Sequence, residues 1–275
     1  MPSVAKTTVK KVNASNSTEA EDLLAIEEPL EIKLEYGPAN KRVQKSISVT
    51  MRTPGNDFEL AVGFLYTEGI IKSAADVASF EYTKSDNENV IMVTLSEDAN
   101  PEMSKLERHF YTTSSCGVCG KTSIEAVRIA CNIPDLPDHL RFPASVIYQL
   151  PGLLRKRQEV FENTGGLHAC ALFDTNGSLL LSREDVGRHN ALDKLTGAAL
   201  NEDMIPLDKH ILLLSGRASF ELVQKAVMAG IKVVAAVGAP SSLAAEMAEE
   251  WGMTLIGFLR GERFNIYSGA ERIVI

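Results

Sequence analysis

Apolar and polar residues alternate over Leu30–Leu34 and again over Val43–Val49, with Gly37-Pro38-Ala39-Asn40 between them, which predicts a β-hairpin. Met51–Asp57 contains Pro54-Gly55-Asn56 and reads as a turn into a helix over Phe58–Gly69, where Phe58, Leu60, Ala61, Phe64 and Leu65 recur at helical spacing. Val90–Leu95 predicts a further strand. Residues 1–22 are polar, rich in Ser, Thr, Asn and Lys, and read as a disordered arm. Residues 23–110 together read as a small α+β domain.

The pattern changes over residues 111–275, which read as an α/β domain. Helices are expected over 123–131, 144–163, 190–200, 220–229 and 241–251. Between them lie short apolar strands at 169–174, 179–182, 210–215, 232–237 and 254–259, the first two joined by an Asn176-Gly177 turn. Strands that are apolar almost throughout, alternating with helices, predict a parallel or mixed sheet covered on both faces.

In such sheets ligands gather at the carboxyl ends of the strands. Three ends stand out: Ser215-Gly216-Arg217, Gly238-Ala239-Pro240-Ser241-Ser242, and Arg260-Gly261-Glu262-Arg263. Glycines permit close backbone approach, helix starts present free N–H groups, and arginines match phosphate bidentately. The combination points to a phosphorylated or nucleotide-bearing ligand, or more plainly to helix caps and turns. Neither a Walker loop nor Gly-x-Gly-x-x-Gly is present, which leaves an ATPase or a Rossmann dehydrogenase without support.

Charge and composition narrow the setting. A net charge of −8 argues against a nucleic-acid binder, and no run approaches the roughly 18 apolar residues of a membrane span. The opening residues lack a signal-peptide pattern, so a cytoplasmic location with reduced thiols is expected.

Four cysteines occur in 275 residues, and two of them, Cys116 and Cys119, form a Cys-x-x-Cys in Thr113-Ser114-Ser115-Cys116-Gly117-Val118-Cys119-Gly120-Lys121. Such a pair can hold metal, cycle between dithiol and disulfide, or carry a persulfide. Structural zinc usually needs a second pair, and Cys131 and Cys170 are isolated; the zinc deaminases need a His-x-Glu, which is absent. A thioredoxin-like pair would follow an early strand at a helix start; the helix start fits here, but the upstream residues fit poorly. A thiolate at a helix start, with Lys121 or Arg108 as the nearby cation and small neighbours that admit a partner's loop, suits a persulfide carrier.

One run is densely charged: Ser182-Arg183-Glu184-Asp185-Val186-Gly187-Arg188-His189-Asn190-Ala191-Leu192-Asp193-Lys194. It reads as a solvated face with a helix cap, or as a polar cluster on a cleft wall around His189. His168, after Thr164-Gly165-Gly166-Leu167, reads as a structural histidine.

Met51–Asp57, Ser114–Gly120, Gly165–His168, Arg183–Ala191, Ser215–Arg217 with Glu221–Ala226, and Phe258–Tyr267 resemble, in this order, the strings of the FdhD family, accessory sulfurtransferases of formate dehydrogenase. The resemblance runs from about residue 27 to the C-terminus. It implies acceptance of sulfur from a cysteine desulfurase and its transfer to the molybdenum bis(molybdopterin guanine dinucleotide) cofactor, bound as a substrate. It implies Cys116 as the persulfide carrier and Cys119 as its partner. Cofactor contacts would fall at Phe258, Leu259, Arg260, Gly261, Glu262 and Arg263, joined by Ser215, Gly216 and Arg217 from the strand-end reading. It further implies a cytidine-deaminase-like α/β/α sandwich, a homodimer, formate dehydrogenase as the protein served, and no metal of the chain's own. Two alternatives stand beside it: a chaperone that binds the cofactor without sulfur chemistry, and a zinc-dependent deaminase relative.

Overall fold

The computed structural model describes residues 2–83, 89–99, 101 and 140–275. Cys116, Cys119, Cys131, Lys121, Arg108 and the helix expected over 123–131 lie outside these residues. Two ten-residue strands, β1 (Val4–Asn13) and β2 (Asn16–Ala25), replace the expected disordered arm. Their antiparallel ladder runs unbroken from Val4 opposite Ala25 to Asn13 opposite Asn16. Composition misleads here because Val4, Thr7, Thr8, Val9, Val12 and Thr18 are β-branched and favour a pleated backbone. The charges, moreover, are cross-strand partners: Lys10 stands opposite Glu19, and Lys11 reaches Asp22 at 3.8 Å. The base of this ribbon is pinned. Ser3 Oγ donates to the Pro54 carbonyl at 3.0 Å, and the Ile26 N–H donates to the Ser3 carbonyl at 2.9 Å.

The predicted hairpin forms from β3 (Glu28–Tyr36) and β4 (Val43–Arg52). Gly55 (φ +108°) and Asn56 (φ +57°) then turn the chain into helix α1 (Asp57–Thr67), whose first turn carries Asp57 and Glu59 where the helix dipole favours acids. Strands β5 (Val77–Tyr82) and β6 (Val90–Leu95) complete a four-stranded sheet in the order β4-β3-β6-β5. Leu60, Ala61 and Leu65 of α1 pack on Leu30, Ile32, Leu34, Ile91 and Val93 of the sheet.

The second half begins with β7 (Phe142–Pro143), α2 (Ala144–Arg155) and α3 (Glu159–Thr164). One helix was expected across 144–163; the chain breaks it at 156–158 because the Glu184 carboxylate accepts from the N–H groups of Val160 (3.3 Å) and Phe161 (3.1 Å), capping a fresh start. There follow β8 (His168–Phe173), β9 (Leu179–Asp185), α4 (Arg188–Asn201), β10 (Ile211–Leu214) and α5 (Phe220–Met228). The chain closes with β11 (Val233–Ala236), α6 (Ser242–Glu250), β12 (Thr254–Arg260), β13 (Arg263–Ser268) and β14 (Ile273–Val274).

The larger sheet has the order β13-β12-β11-β10-β8-β9, with β10, β11 and β12 mutually parallel and antiparallel strands added at both margins. Alternation splits each central strand between two cores. Leu212 and Leu214 join Leu192, Leu195, Val223 and Ala226 on one face, while Ile211 and Leu213 join Ile147, Leu150 and Leu154 on the other. Helices α4, α5 and α6 thus cover one face and α2 the other, as the apolar strands required.

The two halves meet backbone to backbone. A Cβ on Gly63 of α1 would fall 1.8 Å from the Asp193 carbonyl oxygen, and one on Gly197 of α4 would fall 2.0 Å from that of Glu59. Only glycine at both positions allows so close a crossing.

Candidate functional site

The charged run 182–194 is neither a solvated face nor a cleft wall; most of it is the buried joint between the halves. Asp185 is fully buried and Lys194 nearly so, with Lys194 Nζ 2.7 Å from Asp185 Oδ2. Lys194 also donates to the Thr53 carbonyl (2.8 Å), while Asp185 accepts from the N–H groups of Thr53 (3.1 Å) and Gly187 (2.8 Å). Asn190 Nδ2 donates to the Met51 carbonyl at 2.8 Å. Asp57, at the head of α1, holds Arg52 in a two-pronged pair (3.0 and 2.9 Å). Farther along α4, Asp193 accepts from Thr67 Oγ1 (2.7 Å) and Lys225 Nζ (3.0 Å), and His189 faces Glu221 at 3.2 Å. The sequence concealed this because the partners lie more than a hundred residues upstream, or about thirty downstream.

At the carboxyl ends of β10, β11 and β12 the expected loops are stitched together. Gly238 N–H donates to the Gly216 carbonyl (2.9 Å), Phe258 N–H to the Gly238 carbonyl (3.0 Å), and Ser241 N–H to the Ala218 carbonyl (2.9 Å). Ser215, Gly216, Arg217 and Phe258 therefore share one shelf. The third loop differs from its reading as a strand end: Gly261 (φ +54°) and Glu262 form a tight turn between β12 and β13, a strand the sequence did not reveal. In its register Arg260 stands directly opposite Arg263, both exposed and without an ion pair among the described residues. Leu259 is fully buried in the core beneath.

Beside the shelf opens a cleft of about 690 Å³ bounded by the C-terminal part of α2, by α3, by Gly165–His168 and by Ser215-Gly216. Its floor is polar at three places. Ser215 Oγ accepts from the Ala169 N–H at 2.8 Å. The half-buried His168 ring lies against Gly216, where a Cβ would come within 3.2 Å of Nδ1. Burial, with Arg188 and Arg217, pulls its pKa below the usual value against the opposing pull of Asp185, so the ring is uncharged near neutrality. Gln158, only 6% exposed, is the third. Cys170, two residues beyond His168 on β8, is inert as a nucleophile: complete burial, reinforced by Asp193 and Asp185, pushes its thiol far up.

The family model described as FdhD/NarQ matches residues 25–274. The chain belongs to the FdhD/NarQ family. It is 50% identical over 271 residues to a sulfur carrier protein FdhD of Mycolicibacterium paratuberculosis, covering 96% of this chain and 97% of that one. The FdhD of Saccharolobus solfataricus is 43% identical over 263 residues, covering 96% and 95%. The crystal structure assigned to a formate dehydrogenase accessory protein of Desulfotalea psychrophila superposes with a TM-score of 0.77 at 26% identity, covering 99% of this chain and all of that one.

Seen from the FdhD/NarQ strings, the structure separates two kinds of motif. Met51–Asp57 and Arg183–Ala191 lock the halves together, whereas Gly165–His168 and Ser215–Arg217 line the cleft and shelf. Cys116 and Cys119 lie outside the described residues. Gln158 was missed, although one signal pointed to it: it occupies the slot after Ile147, Leu150 and Leu154 where the helical period calls for an apolar side chain. No helix among the described residues is long and apolar enough to cross a membrane.

Proposed function

We propose that this chain is a cytoplasmic sulfur carrier for formate dehydrogenase, a homodimer that takes sulfur from a cysteine desulfurase and delivers it to the molybdenum bis(molybdopterin guanine dinucleotide) cofactor. The Cys116 thiolate attacks the outer sulfur of the desulfurase persulfide; that S–S bond breaks, the desulfurase leaves as thiolate, and Cys116–S–SH forms. Cys119 then attacks the inner sulfur of Cys116–S–SH. The two cysteines are oxidised to a disulfide, the outer sulfur leaves reduced as HS⁻ toward molybdenum, and a dithiol reductant resets the pair. The second half is read as the sandwich of the cytidine-deaminase kind, used here without a catalytic metal.

The observation that carries the cofactor part is the Arg260–Arg263 pair. Like charges directly across a turn repel, an arrangement that favours an anion between them, and the pyrophosphates of a dinucleotide are such anions. Arg217 lies exposed on the adjoining shelf. The sulfur part is supported by the names of the relatives and by the Cys116-x-x-Cys119 pair in the sequence. Incubation with a cysteine desulfurase and ³⁵S-cysteine tests it: label on the native chain and none on Cys116→Ala is expected. Equal labelling of the variant would defeat the assignment. A cofactor chaperone without sulfur chemistry would instead leave formate dehydrogenase active with Cys116→Ala and inactive with Arg260→Ala.

A further inference from the structure

We propose that the buried charge cluster joining α1, α4 and α5 is a one-proton switch: with a proton on Asp193 the head of α5 and the shelf before it are held tight, and without it they loosen. The device goes beyond sulfur transfer, and none of its geometry uses the cysteines.

The cluster is short of positive charge. Lys225 Nζ donates to Thr67 Oγ1, Glu68 Oε1 and Asp193 Oδ1, each at 3.0 Å, and lies over the Phe64 ring at 5.3 Å. Thr67 in turn donates its hydroxyl proton to Asp193 at 2.7 Å. One helical turn back along both α4 and α5, His189 Nε2 stands 3.2 Å from Glu221 Oε2. Among the described residues, the groups around Asp193 and Lys225 are thus Thr67 and Glu68 at the end of α1, Glu221 of α5, His189 of α4 and the Cys170 thiol of β8. Lys194, the next residue along α4, pairs instead with Asp185. The carboxylates of Glu68, Asp193 and Glu221 therefore share one ammonium, and with all of them ionised two negative charges stand uncompensated. An imidazolium at His189 would offset one of these, and a proton on a carboxyl offsets the other.

Asp193 is where that proton belongs. Its side chain is 2% exposed, against 11% for Glu221 and 16% for Glu68, and burial penalises the charged form most where water is farthest away. The same burial outweighs Lys225 and Thr67 and lifts its pKa to about 6, within reach of ordinary solution conditions. Helix α5 carries the change to the shelf. Glu221 lies in its first turn, and the residues just ahead are stitched to the neighbouring loop. The Ala218 N–H donates to the Ala239 carbonyl at 3.2 Å, and the Ala218 carbonyl accepts from the Ser241 N–H at 2.9 Å. Repulsion between Glu221 and a second ionised carboxylate one turn below therefore bears on this end of α5. Because the folded-state value is raised, the tightening is full below the value of the open form and is lost as pH rises through about 6.

The test is hydrogen exchange of the full chain from about pH 5 to pH 8, read by mass spectrometry and corrected for the intrinsic pH dependence of exchange. Between pH 5 and pH 7 the opening of residues 218–228 should become about tenfold more frequent and then level off, as expected when a carboxyl near 6 returns to its ordinary value in the open form. At pH 7 that opening should outpace the opening of β11, since it is local to α5. A change under about threefold would overturn the switch, and so would equal rates for α5 and β11 at every pH, which means whole-chain unfolding. Asp193→Asn, which copies the uncharged acid, should cut the response to about threefold or less; a response that survives in it sinks the assignment. Lys225→Met removes the cation that opposes protonation, so its rise should continue from pH 7 to pH 8, and this reads the same proton if Asp193→Asn does not fold. Levelling off at pH 7 in that variant would count against the switch. His168 touches the shelf from the cleft side, and His168→Gln should keep the full response. Its loss there would put the proton on His168 and overturn the proposal.

Discussion

Lys194 Nζ and Asp185 Oδ2 lie 2.7 Å apart with both side chains shut away from water, at the point where the N-terminal sheet meets the larger one. Thr53, from the turn before α1, gives its N–H to the carboxylate and its carbonyl to the ammonium. Removing one partner strands a buried charge, so Lys194→Met should lower unfolding stability by about 3–5 kcal/mol. Urea denaturation monitored by circular dichroism will show it; a loss under about 1 kcal/mol would mean that the joint does not depend on this pair.

Gly197 and Gly152 make a contrast within helices. A Cβ at Gly197 would collide with the α1 backbone at 2.0 Å, whereas one at Gly152 meets nothing within 4 Å. Gly197→Ala should therefore cost about 1–3 kcal/mol or more through overpacking. Gly152→Ala should raise stability by about 0.5–1 kcal/mol through the lost flexibility of the unfolded chain. Paired thermal melts test both signs at once.

Asp193 gives the stability a pH dependence. Burial pushes its pKa up to about 6 from 3.8, against the opposing pull of Lys225 and the Thr67 hydrogen bond. A raised folded-state value means the contribution is fully present below the unfolded value and is lost as pH rises through about 6. Between pH 5 and pH 7 the native chain should lose about 1–2 kcal/mol that Asp193→Asn does not lose. Parallel slopes for the two chains in urea titrations would reject this.

The Arg260–Arg263 pair should show itself in binding rather than in stability. Arg260→Ala is expected to weaken GDP at least tenfold, to flatten the dependence of that affinity on salt, and to leave the melting temperature level or slightly higher as repulsion across the turn is relieved. Isothermal titration at low and high salt distinguishes this from a turn that has no ligand, for which affinity would not change.

Much of this architecture is written locally and was readable. The β3–β4 hairpin, α1, the Asn176-Gly177 turn and the alternation of apolar strands with helices each depend on neighbours a few residues away. What escaped depends on distant pairing. The ribbon β1–β2 looks polar on both faces, and its charges become partners only once Lys10 and Glu19 are opposed. The run 182–194 looks solvated until Thr53, Thr67 and Lys225 fold onto it. The break between α2 and α3 needs Glu184, more than twenty residues on. At the candidate site, Ser215, Gly216 and Arg217 were legible from their place after a strand. Gln158 was less so, since only the fold brings it beside His168 and Ser215 at the cleft.

The anchorage of Ser3 has a practical bearing on how the protein can be handled. With its hydroxyl tied to Pro54 and its carbonyl to Ile26, an affinity tag or fluorophore placed just ahead of Ser3 would emerge against the turn that feeds the Arg52–Asp57 corner. Ile275, fully exposed at the opposite terminus, gives a label an unobstructed exit, and immobilisation from that end leaves the N-terminal ribbon seated.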